Sequence, residues 1–307
     1  MIETVQAQGS KITRRQVDGV LLLDKPVGPS STRVLGHVKH LLQAAKAGHG
    51  GTLDPMASGL LPLMFGDATK FAAEGLDADK TYEAVVALGT RTSTGDREGV
   101  PIVTQELPAP PEPGEVSRVL SRFLGDQLQT PPMYSALKKD GRPLYDYARA
   151  GVDVARPPRA ITIHELVLLG VDSDSFTIRV TCSKGTYIRT LAEDIGAALG
   201  VPAHLRALRR TAVGRLSSGD DMVSLETLEQ ADAAARLAML KPVDWLIRDV
   251  PEIRLGSMQT TRFSHGQTVP VSSQLESGRV RAVSDVGRFL GTGSIDIHHT
   301  LHPERLR

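Results

Sequence analysis

The segment Gly48-His49-Gly50-Gly51-Thr52-Leu53-Asp54-Pro55 has the residue types of a ligand-binding or catalytic loop. Three glycines within four positions permit unusual dihedrals and let a large ligand approach the backbone. Asp54 precedes a proline, which drives it into extended geometry and gives its carboxylate a fixed direction. A phosphate loop is one reading, but no Gly-Lys-Ser/Thr follows, which argues against a Walker-type site. A plain Asp-Pro turn is the other, and these residues by themselves favour it. The single cysteine, Cys182, permits neither an internal disulfide nor a Cys-rich metal site. His298, His299 and His302 cluster near the C-terminal end without a carboxylate or cysteine partner in a metal-binding pattern, so no metal is assigned there.

The elements that would position this loop can be read from periodicity. Residues 19–24 (GVLLLD) form a short buried strand, closed by Pro26 and Gly28. Ser30 or Ser31 then caps a helix running to about Ala45, with Val34, Val38, Leu41, Leu42 and Ala45 on one face. The glycine-rich 47–55 is a loop, Leu60–Phe65 a strand despite Pro62, and Asp67 a cap for a short helix. Lys80–Leu88, Ile161–Leu169 and Phe176–Cys182 are strands, the last alternating cleanly. A helix from about Tyr187 stops at Gly200 and Pro202. Residues 130–159, with five prolines and a basic cluster, form a long excursion of the kind that is functional or mobile. Residues 224–240 look helical, and 252–307 are rich in Gly, Thr, Ser and Val, with short strands near Arg279–Ser284 and Arg288–Leu290. Without regular βαβ alternation the class is α+β: a mixed, mainly antiparallel sheet with flanking helices, plus a small β-rich C-terminal domain. The expected division is a tail at 1–17, a main domain at 18–250 and a C-terminal domain at 251–307.

With 307 residues, 40% hydrophobic and 23% charged, the chain has ordinary globular composition, and a disordered protein is excluded. The formal charge is only +1, but it is unevenly spread. Residues 11–50 carry seven Lys/Arg against two acids, and 203–216 carry four arginines and no acid. Residues 217–240 reverse the sign, with five acids against Arg236. Basic blocks separated by acidic ones suit a polyanion-binding face, and equally a set of solvated faces. No apolar run approaches the roughly 20 residues that span a bilayer. The N-terminal MIETVQAQGSKITRRQ has no secretory h-region, so a cytoplasmic protein is expected.

Six segments occur in one order: GVLLLDKPVGPSS, GHGGTLDPMASGLLPL, Lys80-Thr81-Tyr82, MYSALK at 133–138, KGTYIRT at 184–190, and Leu208-Arg209-Arg210. Together they resemble the bacterial tRNA pseudouridine-55 synthases, the TruB-type family, from about residue 18 to 250, with a weaker match to that family's PUA-type RNA-binding domain beyond.

The resemblance implies isomerisation of uridine 55 in the tRNA T-loop, by an aspartate-dependent mechanism with base flipping. Neither redox cofactor nor metal is then required, and the family precedent is a monomer. It assigns Asp54 as the catalytic carboxylate and Arg189 as its cationic partner. Tyr82 becomes the platform for the target uracil and a candidate for the C5 proton transfer. Tyr187 and Leu208 line the uracil pocket, and His49 stands beside the flipped nucleotide. Lys25 and Pro26 support the loop. Lys138, Lys139, Arg142, Arg149 and Arg159 of the excursion are expected to contact phosphates, as are Arg209 and Arg210; such contacts position RNA without reading its sequence. A non-catalytic RNA-binding protein is disfavoured by the presence of Asp54. A small-molecule hydrolase is disfavoured by the lack of an Asp-x-Asp motif near Asp24.

Overall fold

The computed structural model describes residues 14–272 and 275–307. Gly19–Lys25 is buried on both faces, as its unbroken GVLLLDK run requires of an interior strand. It lies in a ten-stranded mixed sheet ordered Val223–Ser224, Gly19–Lys25, Ala57–Phe65, Ala203–Val213, Lys80–Leu88, Ser175–Cys182, Arg159–Val171, Gly125–Gln129. Ala47–His49 and Leu216–Ser217 add short flanking pairings to Ala57–Phe65 and Ala203–Val213. Within this sheet only the Gly19–Lys25/Val223–Ser224 and Ala57–Phe65/Ala203–Val213 strand pairings are parallel. The expected α+β class with a mainly antiparallel sheet is observed.

Strand alternation divides the apolar residues between two cores. Leu21, Leu23, Leu61 and Leu63 face the helices Ser31–Leu41, Pro113–Leu120 and Ile188–Ala198 through Val34, Val38, Val116, Ile188 and Leu191. Val20, Leu22, Leu60 and Met64 face the other way, onto Phe71, Val243 and the C-terminal residues Val283 and Phe289. That C-terminal unit is a five-stranded sheet, ordered Glu252–Leu255, Gly278–Ser284, Phe289–Ile295, Thr300–Leu306, Val269–Pro270, with the helix Ser257–Ser264. An edge-on Phe71–Phe289 contact, with centroids 5.4 Å apart, and the Arg279–Glu74 ion pair join the two units.

Several local expectations are corrected. The first helix ends at Leu41 rather than about Ala45, because Gln43 turns left-handed (φ +53°) and Ala44 pairs with Arg15. The glycine-rich segment is not all loop, since Ala47–His49 is a strand on Ala57–Phe65. Asp67 does not cap a helix: it lies within the 3-10 turn Gly66–Phe71 that leads into the helix Ala72–Asp77, and its own N–H is held by Asp18 Oδ1. The helical stretch at 224–240 is two short helices, Leu225–Gln230 and Ala233–Ala238, the second restarted by the Asp232 cap. Of the tail expected at 1–17, residues 1–13 lie outside the described residues, and Val17 is already buried in the main core.

One glycine lets two strands meet beneath the Asp54 loop. Gly59 has φ +100°, and a Cβ there would lie 2.2 Å from the Arg210 carbonyl oxygen. Gly59→Ala is therefore expected to lower the melting temperature by roughly 4 °C or more, read by thermal denaturation.

Candidate active site

Asp54 is held by its neighbours on both sides. The Ser31 hydroxyl, in the first turn of its helix, accepts from the Leu53 N–H at 2.8 Å and donates to the Leu53 carbonyl at 3.0 Å. On the far side Lys25, fully buried, donates to the carbonyls of Pro26, Pro55 and Ala57 at 2.9, 3.4 and 2.7 Å. Burial without a directly bonded carboxylate pulls the Lys25 ammonium down to about 8, with Asp54 partly opposing the shift. Lys25 thus supports the loop, as its motif suggested.

Arg189 meets this loop from the first turn of Ile188–Ala198, a position where the helix dipole disfavours a cation. Its placement follows from its partners. Nε lies 2.8 Å from Asp54 Oδ2 and 3.7 Å from Asp96 Oδ2, while Nη1 donates to the Thr94 carbonyl at 2.8 Å and Nη2 to the Tyr134 carbonyl at 2.7 Å. The Arg189 side chain is only 5% exposed, whereas Asp54 keeps 36% of its side-chain surface open, so the pair is closed behind and accessible in front. Burial pushes the Asp54 carboxyl above the ordinary aspartate value; Arg189 pulls it back, and Asp96 pushes it up again.

In front of the pair is a cavity of about 350 Å³. Tyr82, Tyr187 and Leu208 all line it with Asp54 and Arg189, so five of the residues singled out by sequence converge on one site. Tyr82 points inward from the alternating strand Lys80–Leu88 and is nearly buried; burial raises its hydroxyl pKa and the Arg210 guanidinium opposes that. Tyr187 caps the Arg189 helix, and its backbone is clamped by Gln129, which accepts from its N–H at 2.7 Å and donates to its carbonyl at 3.1 Å. Leu208, in Ala203–Val213, belongs both to the main core and to the cavity wall. Ser135, Ala136 and Leu137 of the excursion form part of that wall, and Tyr134 ties it to Arg189.

Other expected residues are placed differently. His49 ends its short strand and does not line the cavity; burial, then Arg210, lowers its pKa. Lys138, Lys139, Arg142, Arg149 and Arg159 are all exposed, as phosphate contacts must be. Arg142 and Arg149 rest on the rings of Tyr147 and Tyr145. Arg210 is a correction, while Arg209 stays partly exposed and is ion-paired. Arg209 spends both terminal nitrogens on Asp24, at 2.9 Å each. Arg210 is buried and donates to the carbonyls of Leu60 and Gly51 at 2.8 and 3.1 Å, so it belongs to the site and not to an outer phosphate face. The histidine trio is a turn in which Asp296 accepts from the His298 and Thr300 N–H groups and pairs with His302. Among the described residues no metal-holding cluster occurs.

Sequence reading missed Asp96, Ser31 and Gln129. Asp96 lies in the connection of the hairpin formed by the strands Thr90–Thr92 and Pro101–Thr104, within the turn Thr94-Gly95-Asp96. Its carboxylate accepts from Thr94 Oγ1 at 2.6 Å and from the Glu98 N–H at 3.0 Å. A cavity of about 420 Å³ between the two units holds the pairs Glu74–Arg279 and Asp249–Arg215, whose arginines are exposed where Arg189 is buried.

The chain resembles known proteins over most of its length. The family model described as TruB family pseudouridylate synthase, N terminal domain, matches residues 39–188. Models for the tRNA pseudouridylate synthase B C-terminal domain and for the C-terminal part of pseudouridine synthase II TruB match 189–248 and 251–306. A tRNA pseudouridine synthase B of Burkholderia lata is 54% identical over 308 residues, covering 99% of this chain and 94% of the relative. The chain belongs to the TruB family of pseudouridine synthases. It is thus a pseudouridine synthase, an enzyme of the isomerase class. Ralstonia nicotianae has a relative of the same name, 51% identical over 314 residues, covering 100% of this chain and 99% of the relative. Among solved structures, a chain of a Cbf5-Nop10-Gar1 complex aligns with TM-score 0.69 and 25% identity, over 96% of this chain and 85% of that one. The TruB-type fold therefore includes the C-terminal β-rich unit. Among the described residues no helix is long and apolar enough to cross a membrane.

Neutralising Asp96 should have two separable effects. Asp96→Asn weakens the hold on Arg189 and lowers turnover by about tenfold or more. It also removes a charge that raises the Asp54 pKa, so the acid limb of the remaining activity moves to lower pH in a pH–rate profile.

Proposed function

We propose that this TruB-family enzyme isomerises uridine 55 in the T-loop of tRNA to pseudouridine, with Asp54 as the essential carboxylate. The observation that carries the reading is the Asp54–Arg189 pair, 2.8 Å apart, opening onto a cavity walled by two tyrosines. The relatives named tRNA pseudouridine synthase B support the substrate class.

A carboxylate at the base of a cavity cannot reach a base stacked within an RNA loop, so the reading includes eversion of the uridine. Eversion costs a few kcal/mol. Stacking on Tyr82 returns about 1–3 kcal/mol of this. In the cavity the C1′–N1 bond breaks, the uracil turns, and a C1′–C5 bond forms; C5 loses a proton and N1 gains one. Atoms and electrons balance within the nucleotide, so the reaction calls for neither redox cofactor nor metal.

Each chain residue then has a physical task. Asp54 works as the anion, attacking the base or C1′ or assisting elimination, and Arg189 counters the rise in its pKa that burial and an RNA polyanion both cause. Tyr82 lines the cavity with Asp54 and is the candidate for the C5 proton transfer. The exposed Lys138, Lys139, Arg142, Arg149 and Arg159 hold the phosphates, and residues 251–307 add a second RNA-binding surface. The enzyme acts as a monomer in the cytoplasm on this reading.

Asp54→Asn keeps the shape of the side chain and loses its charge. It is expected to reduce pseudouridine formation at position 55 of an unmodified tRNA transcript by at least about a thousandfold, with the Kd for tRNA nearly unchanged. Mapping of pseudouridine at single-nucleotide resolution checks both site and rate. Near-normal turnover by the variant overturns the assignment.

A further inference from the structure

Two buried cations in the cavity wall have no task in the chemistry assigned to Asp54, Arg189 and Tyr82. Lys80 is 7% exposed and Arg210 1% exposed, and both line the cavity. Their bonded partners are neutral: Lys80 donates to the carbonyls of Leu76 and Ala78 at 2.7 and 2.6 Å, and Arg210 to those of Leu60 and Gly51. Among the described residues neither is within ion-pair distance of a carboxylate. The nearby Asp77 and Asp79 are turned to Lys184 and His164 at the surface. The two cations also converge. A Cβ built on Gly51 would lie 3.5 Å from Arg210 Nη1 and 3.8 Å from Lys80 Cε, so both reach the same backbone position of the Asp54 loop. The carboxylates of the site, Asp54 and Asp96, are instead gathered around Arg189.

Burying two positive charges without a counter-anion is costly, and such a pair is expected where a negative charge arrives later. The reaction supplies one. If the carboxylate adds to the ring, an electron pair moves onto the ring carbonyl system. If it attacks C1′, or elimination occurs, the C1′–N1 electrons leave with N1. By every route the uracil carries transient negative charge, which is discharged when C5 bonds to C1′, C5 gives up its proton and N1 takes one. The geometry points to Lys80 and Arg210 as a cationic wall that stabilises the negatively charged uracil ring in the cavity. This rests on the pseudouridine-55 reading and assigns it a further electrostatic component. Fixed charges in a site closed to water favour a developing anion without having to reorganise.

Lys80 also ties down two carbonyls, so the test separates charge from hydrogen bonding. Lys80→Gln keeps N–H donors and loses the charge, Lys80→Met loses both, and Lys80→Arg keeps both. Full-length protein is assayed on unmodified tRNA transcript in single turnover at saturating enzyme, with Kd and melting temperature measured alongside. Lys80→Gln and Lys80→Met are expected to slow the single-turnover rate about 100-fold. Their Kd for tRNA stays within about threefold of wild type, and Lys80→Arg stays within about tenfold of its rate. A Lys80→Gln rate equal to wild type, or a loss that appears in Kd and not in the rate, overturns the wall while leaving the parent reading intact. Absence of conversion by the wild-type protein itself overturns both.

Discussion

The structure is organised around a half-open ion pair. Arg189 is shut inside the protein while its partner Asp54 faces a cavity, and every hydrogen-bonding nitrogen of the guanidinium is used. A buried pair of this kind is weak support for stability, since desolvation offsets much of the attraction. Its value lies in direction. Thr94, Tyr134 and Asp96 fix the guanidinium, which in turn fixes one carboxylate oxygen. The partly open carboxylate is left facing the cavity.

The fold follows from the need to bring distant segments to that pair. Asp54 comes from a loop stapled by Ser31 and Lys25, Arg189 from the first turn of a helix, Asp96 from a hairpin connection, and Tyr82 and Leu208 from adjacent central strands. The hairpin is itself anchored to the sheet, where the Arg97 N–H donates to Leu205 and the Leu205 N–H to Gly95. Gly59 lets Ala57–Phe65 run against Ala203–Val213, which sets Arg210 beneath the Asp54 loop. Tyr82, Leu208 and Arg210 therefore depend on pairings between strands far apart in sequence.

Much of this was legible in the sequence, and the features that were not share a common cause. Lys80–Leu88 and the helix after Tyr187 are strongly patterned, and both were placed almost to the residue. Ordered motifs identified Asp54, Arg189, Tyr82, Tyr187 and Leu208 as one site. Side chains whose role is set by tertiary contacts were not legible. Arg210 and Arg209 are neighbours in a basic run that looks like a surface patch, yet strand alternation buries one against backbone carbonyls and turns the other to Asp24. Asp96 looks like a turn residue because locally it is one; its approach to Arg189 exists only after the hairpin docks. The helix ending at Leu41 has the same explanation, since the Ala44–Arg15 pairing outweighs the apolar periodicity that would have carried it to Ala45.

The central claim is that the carboxylate of Asp54 meets an everted uridine in the cavity in front of Arg189. A structure of the Asp54→Asn protein bound to an unmodified T-arm hairpin tests it most directly, because the inert variant preserves the substrate. The account predicts the target uridine out of the loop, stacked on Tyr82, with its ribose beside residue 54. A uridine still stacked within the RNA, above an empty cavity, would contradict it.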